Sequence, residues 1–160
     1  MGKSDQQSGK LTEIRRSIPS KQSAEKRLYT VPEVMKLTGL SRKQVEYWAA
    51  IDLLRPTLRD SSATGSQPAS FYSAEAVVKA LVMCDLRHRG FTPRQVKQVA
   101  DNLEAQGLRL NGPNMYLLTD GYSVYYANSN NEVTDILKHH RQMLLLVPLR
   151  EQVEKLRMAS

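Results

Sequence analysis

Cysteine is almost absent: Cys84 is the only one in 160 residues. One thiol makes neither an internal disulfide nor a cysteine-rich metal site, so a reducing cytoplasm is the expected setting and no metal is implied. Aromatic residues are few, at 6%, and Trp48 is the single tryptophan; any aromatic pair therefore stands out. No apolar run approaches the roughly 18 residues that a membrane span needs. Met1 to Ser23 lacks the hydrophobic segment of a secretory signal. Also missing are a glycine-rich phosphate loop, a nucleophile elbow and a carboxylate pair in a promising setting. The expectation is a cytoplasmic protein that is not an enzyme and uses no cofactor.

Basic charge, by contrast, is in excess and uneven. Residues 1–27 carry seven Lys/Arg against three acids, residues 28–100 ten against six, and residues 101–160 six against seven. Displaced counterions drive such a front half toward a polyanion. Residues 1–27, rich in Lys, Gln, Ser and Gly, are expected to be a disordered basic tail.

Local start and stop signals divide residues 29–107 into short elements. Thr30 with Glu33 three residues on forms a capping box, Tyr29 and Val34 sit where a hydrophobic staple would, and Gly39 offers a left-handed stop. After Leu40 the pattern repeats with Ser41 and Gln44, opening a second helix that buries Val45, Trp48 and Ala49 and runs to about Ala50. Two short helices joined through Gly39-Leu40 read as a helix-turn-helix, whose second helix enters the major groove by its N-terminal residues. The alternative is a pair of amphipathic surface helices with ordinary charged faces. Leu53-Leu54-Arg55-Pro56 and Ala69-Ser70-Phe71-Tyr72 are expected to be short extended pieces around the polar stretch Asp60 to Ser70, a β-hairpin wing with a flexible tip. A third helix starts at the Ser73 cap, buries Val77, Val78, Leu81, Val82 and Cys84, and ends at Gly90; a fourth opens on Thr92-Pro93-Arg94-Gln95 and closes at Gly107.

Beyond residue 107 the pattern changes. Met115 to Thr119 and Tyr122 to Tyr126 flank Asp120-Gly121, the signal of a two-residue hairpin. Asn128 to Asn131 reads as a turn, Glu132 to His140 as a short helix with Val133, Ile136 and Leu137 inward, and Met143 to Val147 as a buried strand. Pro148 then opens a last helix carrying Leu149, Val153 and Leu156, too short to stand alone in water.

From Tyr29 to about Gln98 the chain resembles the DNA-binding domain of MerR-like winged helix-turn-helix regulators. The resemblance rests on Tyr29-Thr30-Val31-x-Glu33-Val34, Thr38-Gly39-Leu40-Ser41, Tyr47-Trp48, Leu53-Leu54-x-Pro56, Phe71-Tyr72-Ser73 and Leu86-Arg87-x-x-Gly90-Phe91-Thr92-x-x-Gln95-Val96. It covers under half of the chain, and order and spacing carry it. Three features depart from the family: Glu46 stands where an Arg commonly precedes the aromatic pair, Ser70 where an Arg precedes the closing Tyr, and no heptad-bearing dimerisation helix follows Gly107. The resemblance implies an α+β protein with a winged-helix domain over residues 28–107 and a small extension, residues 108–160, for dimerisation or partner binding. It also implies double-stranded DNA as ligand and a homodimer on a pseudo-palindromic site.

The residues expected at DNA are Ser41, Arg42, Lys43, Glu46, Tyr47, Arg55 and Arg59. Arg42 and Lys43 open the groove helix; Tyr47 faces outward to a phosphate while Trp48 faces the core. Arg55 and Arg59 suit phosphate or minor-groove contact, and Glu46 suits either a cytosine amino group or an internal salt bridge. His139 and His140 are adjacent and point about 100° apart on a helix, which reads as a solvated pair. With no heptad helix, the interface is expected at Leu145, Val147, Leu149, Val153 and Leu156. A second function reading keeps this apolar unit for a protein partner, as in an antitoxin that regulates its own operon; a third is an architectural DNA binder.

Overall fold

In a computed structural model the structure describes residues 27–62, 68–110, 112–140 and 143–159. Three reciprocal capping boxes open helices. At Thr30, Ser41 and Thr92 the backbone N–H donates to Glu33 Oε2 (2.8 Å), Gln44 Oε1 (2.8 Å) and Gln95 Oε1 (2.9 Å), and each hydroxyl accepts the N–H that comes back. The first two set helices α1 (Val31–Thr38) and α2 (Arg42–Ala50) across a turn in which Gly39 takes φ 75°. The third opens α4 (Pro93–Ala105), and a plain Ser73 cap opens α3 (Ala74–His88).

The first sheet has the order β1-β3-β2, with β1 (Leu28–Thr30) and β2 (Leu58–Asp60) both antiparallel to β3 (Ala69–Ser73). Leu53 to Pro56 is not the strand. Asp52 closes α2 at φ 60°, and the Trp48 carbonyl then accepts from both Leu53 (2.8 Å) and Leu54 (3.1 Å), folding the two leucines into the core. Pro56 has no N–H to give a ladder, so pairing begins at Thr57, whose N–H donates to the Phe71 carbonyl. The sequence-predicted flexible tip falls largely on residues 63–67, outside the described ones.

The second sheet, order β5-β4-β6, comprises β4 (Tyr116–Thr119), β5 (Val124–Ala127) and β6 (Leu145–Pro148). Its hairpin loop is four residues rather than two, since Thr119 pairs with Val124. Asp120 accepts from the N–H groups of Tyr122 and Ser123, an Asx turn that lengthens the Asp-Gly signal. Helix α5 (Asn130–His139) starts at Ser129, inside the stretch expected to be a turn, and leaves Leu137 47% exposed. Strand β6 begins two residues late on a sheet edge, with Met143 outside it and 95% exposed.

The last helix, α6 (Arg150–Met158), docks on α3, and this corrects the expected interface. Val147 and Leu149 are 0% exposed, Val153 8% and Leu156 6%, and half-buried Leu145 packs on the same cluster. Four of these side chains, Val147, Leu149, Val153 and Leu156, close the chain's own core, and Leu145 is only partly covered. One cluster runs from Tyr29 to Leu156, so residues 108–160 pack in part on the helix-turn-helix segment, while Leu118, Ala127 and Val133 form a second, smaller cluster of their own.

Candidate nucleic-acid interface

Helix α2 has one buried side. Val45 is 1% exposed and Trp48 packs half-buried against the core. With 3.6 residues per turn, Lys43, Glu46 and Tyr47 fall away from that side and Arg42 sits at its flank in the first turn; all four are exposed, Tyr47 59% so. The aromatic pair thus divides as expected, Trp48 inward and Tyr47 outward. Among the described residues neither Arg42 nor Lys43 enters an ion pair. Ser41 uses its hydroxyl to accept from Gln44 N–H, so its first role is to fix where the helix begins.

The hairpin β2–β3 carries a further cation. Arg59 on β2 is exposed and stands opposite Ser70. The Tyr72 phenol, pushed up in pKa by burial, is pulled down by Arg59 and up by Glu46. One tyrosine therefore feels both the hairpin cation and the outward acid of α2. Glu46 makes no ion pair among the described residues. Leu58, beside Arg59, is 51% exposed.

Arg55 is engaged within the chain. Its guanidinium bridges Asp52 (3.3 Å) and Glu104 (3.1 Å), bracing the end of α2 against α4. The sequence gives no warning, because Glu104 lies far along the chain. Arg27, expected in the disordered tail, is held instead: it pairs with Glu33 at 3.2 Å and lies over the Tyr29 ring at 4.7 Å. A cation two residues before a strand tyrosine was the signal available. The rest of the tail, residues 1–26, lies outside the described residues. His139 and His140 diverge: His139 Nδ1 approaches the Asp135 carbonyl at 2.7 Å, while the His140 ring leans on Tyr125 at 4.2 Å.

Comparison with known proteins places residues 29–103 in a match to the MerR HTH family of regulatory proteins. Uncharacterized HTH-type transcriptional regulators of Mycobacterium bovis and Mycobacterium tuberculosis are 28% identical to the chain over 110 residues, which is 69% of this chain and 48% of theirs. The chain thus spans about half the length of the curated relatives it matches.

Proposed function

We propose, from the match of residues 29–103 to the MerR HTH family model, that the protein is a sequence-specific DNA-binding transcriptional regulator. Helix α2 lies in the major groove, with Arg42 and Lys43 at base edges or phosphates and the Tyr47 phenol on a phosphate. The β2–β3 hairpin acts as the wing, with Arg59 on the backbone. Two copies bind a pseudo-palindromic site in the cytoplasm, and the protein acts by binding rather than by catalysis. One observation carries the reading: α2 presents two cations with no ion pair among the described residues, and an outward tyrosine, on a helix whose start a capping box fixes. Arg55 is left out because its charge is already engaged. The partner-neutralising reading of the C-terminal unit is weakened because Val147, Leu149, Val153 and Leu156 lie in the core.

Selection of bound sequences from random duplex DNA tests the proposal, with stoichiometry measured on the winning site. A single enriched motif bound by two protein chains is the expected result. Arg42→Ala should weaken that site by about 1–3 kcal/mol if it reads a base. Tyr47→Phe should weaken specific and random DNA alike. Unchanged affinity of Arg42→Ala/Lys43→Ala in a gel-shift titration would remove α2 as the reading helix. Sedimentation as a monomer, with one chain per site, would remove the two-fold arrangement.

A further inference from the structure

Arg42, Lys43 and Tyr47 on α2 suit a polyanion; Glu46, exposed on the same helix, does not. It follows Arg42 by four residues and Lys43 by three, the spacings at which helix neighbours meet. The hairpin cation Arg59 is close enough for the Tyr72 phenol to feel both its charge and that of Glu46. Despite these cations, Glu46 forms no ion pair among the described residues. The order along α2 accounts for part of this, because an acid placed after its base pairs less well than one placed before it. An internal salt bridge, one of the two uses open to this side chain, is not formed.

A carboxylate carried into a major groove is repelled by the phosphates of both strands. It accepts hydrogen bonds and donates none. Of the base edges exposed there, guanine offers two acceptors, and thymine an acceptor and a methyl group. Only the amino groups of cytosine and adenine can answer it. Adenine sets its N7 acceptor beside N6, against the second carboxylate oxygen, whereas cytosine presents N4 alone. The guanine paired with that cytosine offers O6 and N7, acceptors for Arg42 or Lys43 one turn earlier on α2.

We infer that Glu46 is the specificity-determining residue of α2: it accepts from the N4 amino group of a cytosine and turns away guanine and thymine at that position. Elsewhere on DNA its charge only repels, so Glu46 lowers affinity for random sequence while it sharpens the choice of site. The inference rests on the proposed function, since it needs α2 in the major groove.

The test selects bound sequences from random duplex DNA in parallel with the native protein and with Glu46→Gln, which keeps the shape and removes the charge. Gln pairs best with adenine, through N6 and N7. The native motif should therefore require cytosine at one position where the variant's motif has adenine. Changing that cytosine to thymine in the native site should cost the native protein about ten-fold in affinity or more, and the variant less than about three-fold. Random duplex should bind the variant about three-fold tighter, the scale of one unit charge near a phosphate in water. An unchanged motif in Glu46→Gln, or equal tolerance of cytosine and thymine throughout the native site, overturns the inference and leaves the DNA reading standing. Absence of any enriched motif with the native protein overturns both. Should the variant fold poorly, the base change on the native protein decides alone.

Discussion

Gly121 has a φ of 93°, and a Cβ built there would stand 2.9 Å from Gln95 Nε2. That amide is not free to swing away, because its Oε1 accepts from Thr92 N–H in the capping box of α4. Gly39 makes the contrast: φ is 75° and nothing lies within 4 Å of its would-be Cβ. Gly39→Ala should therefore lose only the left-handed penalty, about 1 kcal/mol. Gly121→Ala should lose about 1 kcal/mol more, as the cap of α4 is disturbed. Urea unfolding midpoints compare the two, and equal losses would mean that the hairpin tip is not seated on Gln95. Cys84 is the other residue with a sharp forecast. Burial pushes its thiol up to about 11 from an ordinary 9.0. At pH 8 its thiolate is about a hundredfold scarcer than that of an ordinary thiol. Labelling with a disulfide reagent should be slower in the native protein than in urea by at least that factor. Rapid native labelling would place Cys84 outside the core.

Three boxes of one design differ at a single position, Glu33, Gln44 or Gln95, and only the first can titrate. Backbone N–H donation from Thr30 is the largest cause holding the Glu33 carboxyl below its ordinary 4.5, with Arg27 adding to it. A depressed folded pKa adds stability that is present above the unfolded value and lost as pH falls through the folded one. The advantage of the native protein over Glu33→Gln should thus be present at pH 7 and be lost progressively as pH falls below the ordinary 4.5 and through the lowered folded value. Parallel thermal melts follow it; a gap that stays constant down to pH 3 would remove the charge from the account. These boxes were legible in sequence because each closes within four residues. Strand β2 was not, since Leu58 is placed by Phe71, thirteen positions on, and the leucines before it are claimed by a Trp48 carbonyl. The four-residue hairpin loop was missed for a related reason. An Asp-Gly pair specifies a bend, but the Asp120 side chain chose the longer closure. Of the candidate site, the outward placement of Lys43, Glu46 and Tyr47 was legible from helical period, while the pairing of Arg55 with Glu104 was not.

Amphipathic periodicity says which face of an element is covered, never by which molecule. For the whole chain that ambiguity decided the one large error, because Leu149, Val153 and Leu156 are covered by this chain's own α3 and its neighbours. A truncation after His140 consequently has a different expected outcome from removal of a dimerisation arm. It strips Val147, Leu149, Val153 and Leu156 from the shared core and leaves β4 without its β6 neighbour. Losing one such side chain typically costs about 2–5 kcal/mol, and a domain has only about 5–15 kcal/mol in all. The exposed face of α3 would then consist of Val, Leu and Cys side chains now 0–8% accessible. The truncated protein should lose cooperative melting and amide shift dispersion along its whole length, residues 28–107 included. The full chain, by the same reasoning, should unfold in one transition with equal calorimetric and van't Hoff enthalpies. A truncated chain that melts cooperatively and still binds DNA would show that the helix-turn-helix half has a sufficient core of its own. Single substitution separates the cases further. Leu149→Ala should depress Tm when unfolding is followed by Trp48 fluorescence, although Trp48 lies in α2 and Leu149 just before α6. Only a core that both halves build carries that loss from one end of the chain to the other.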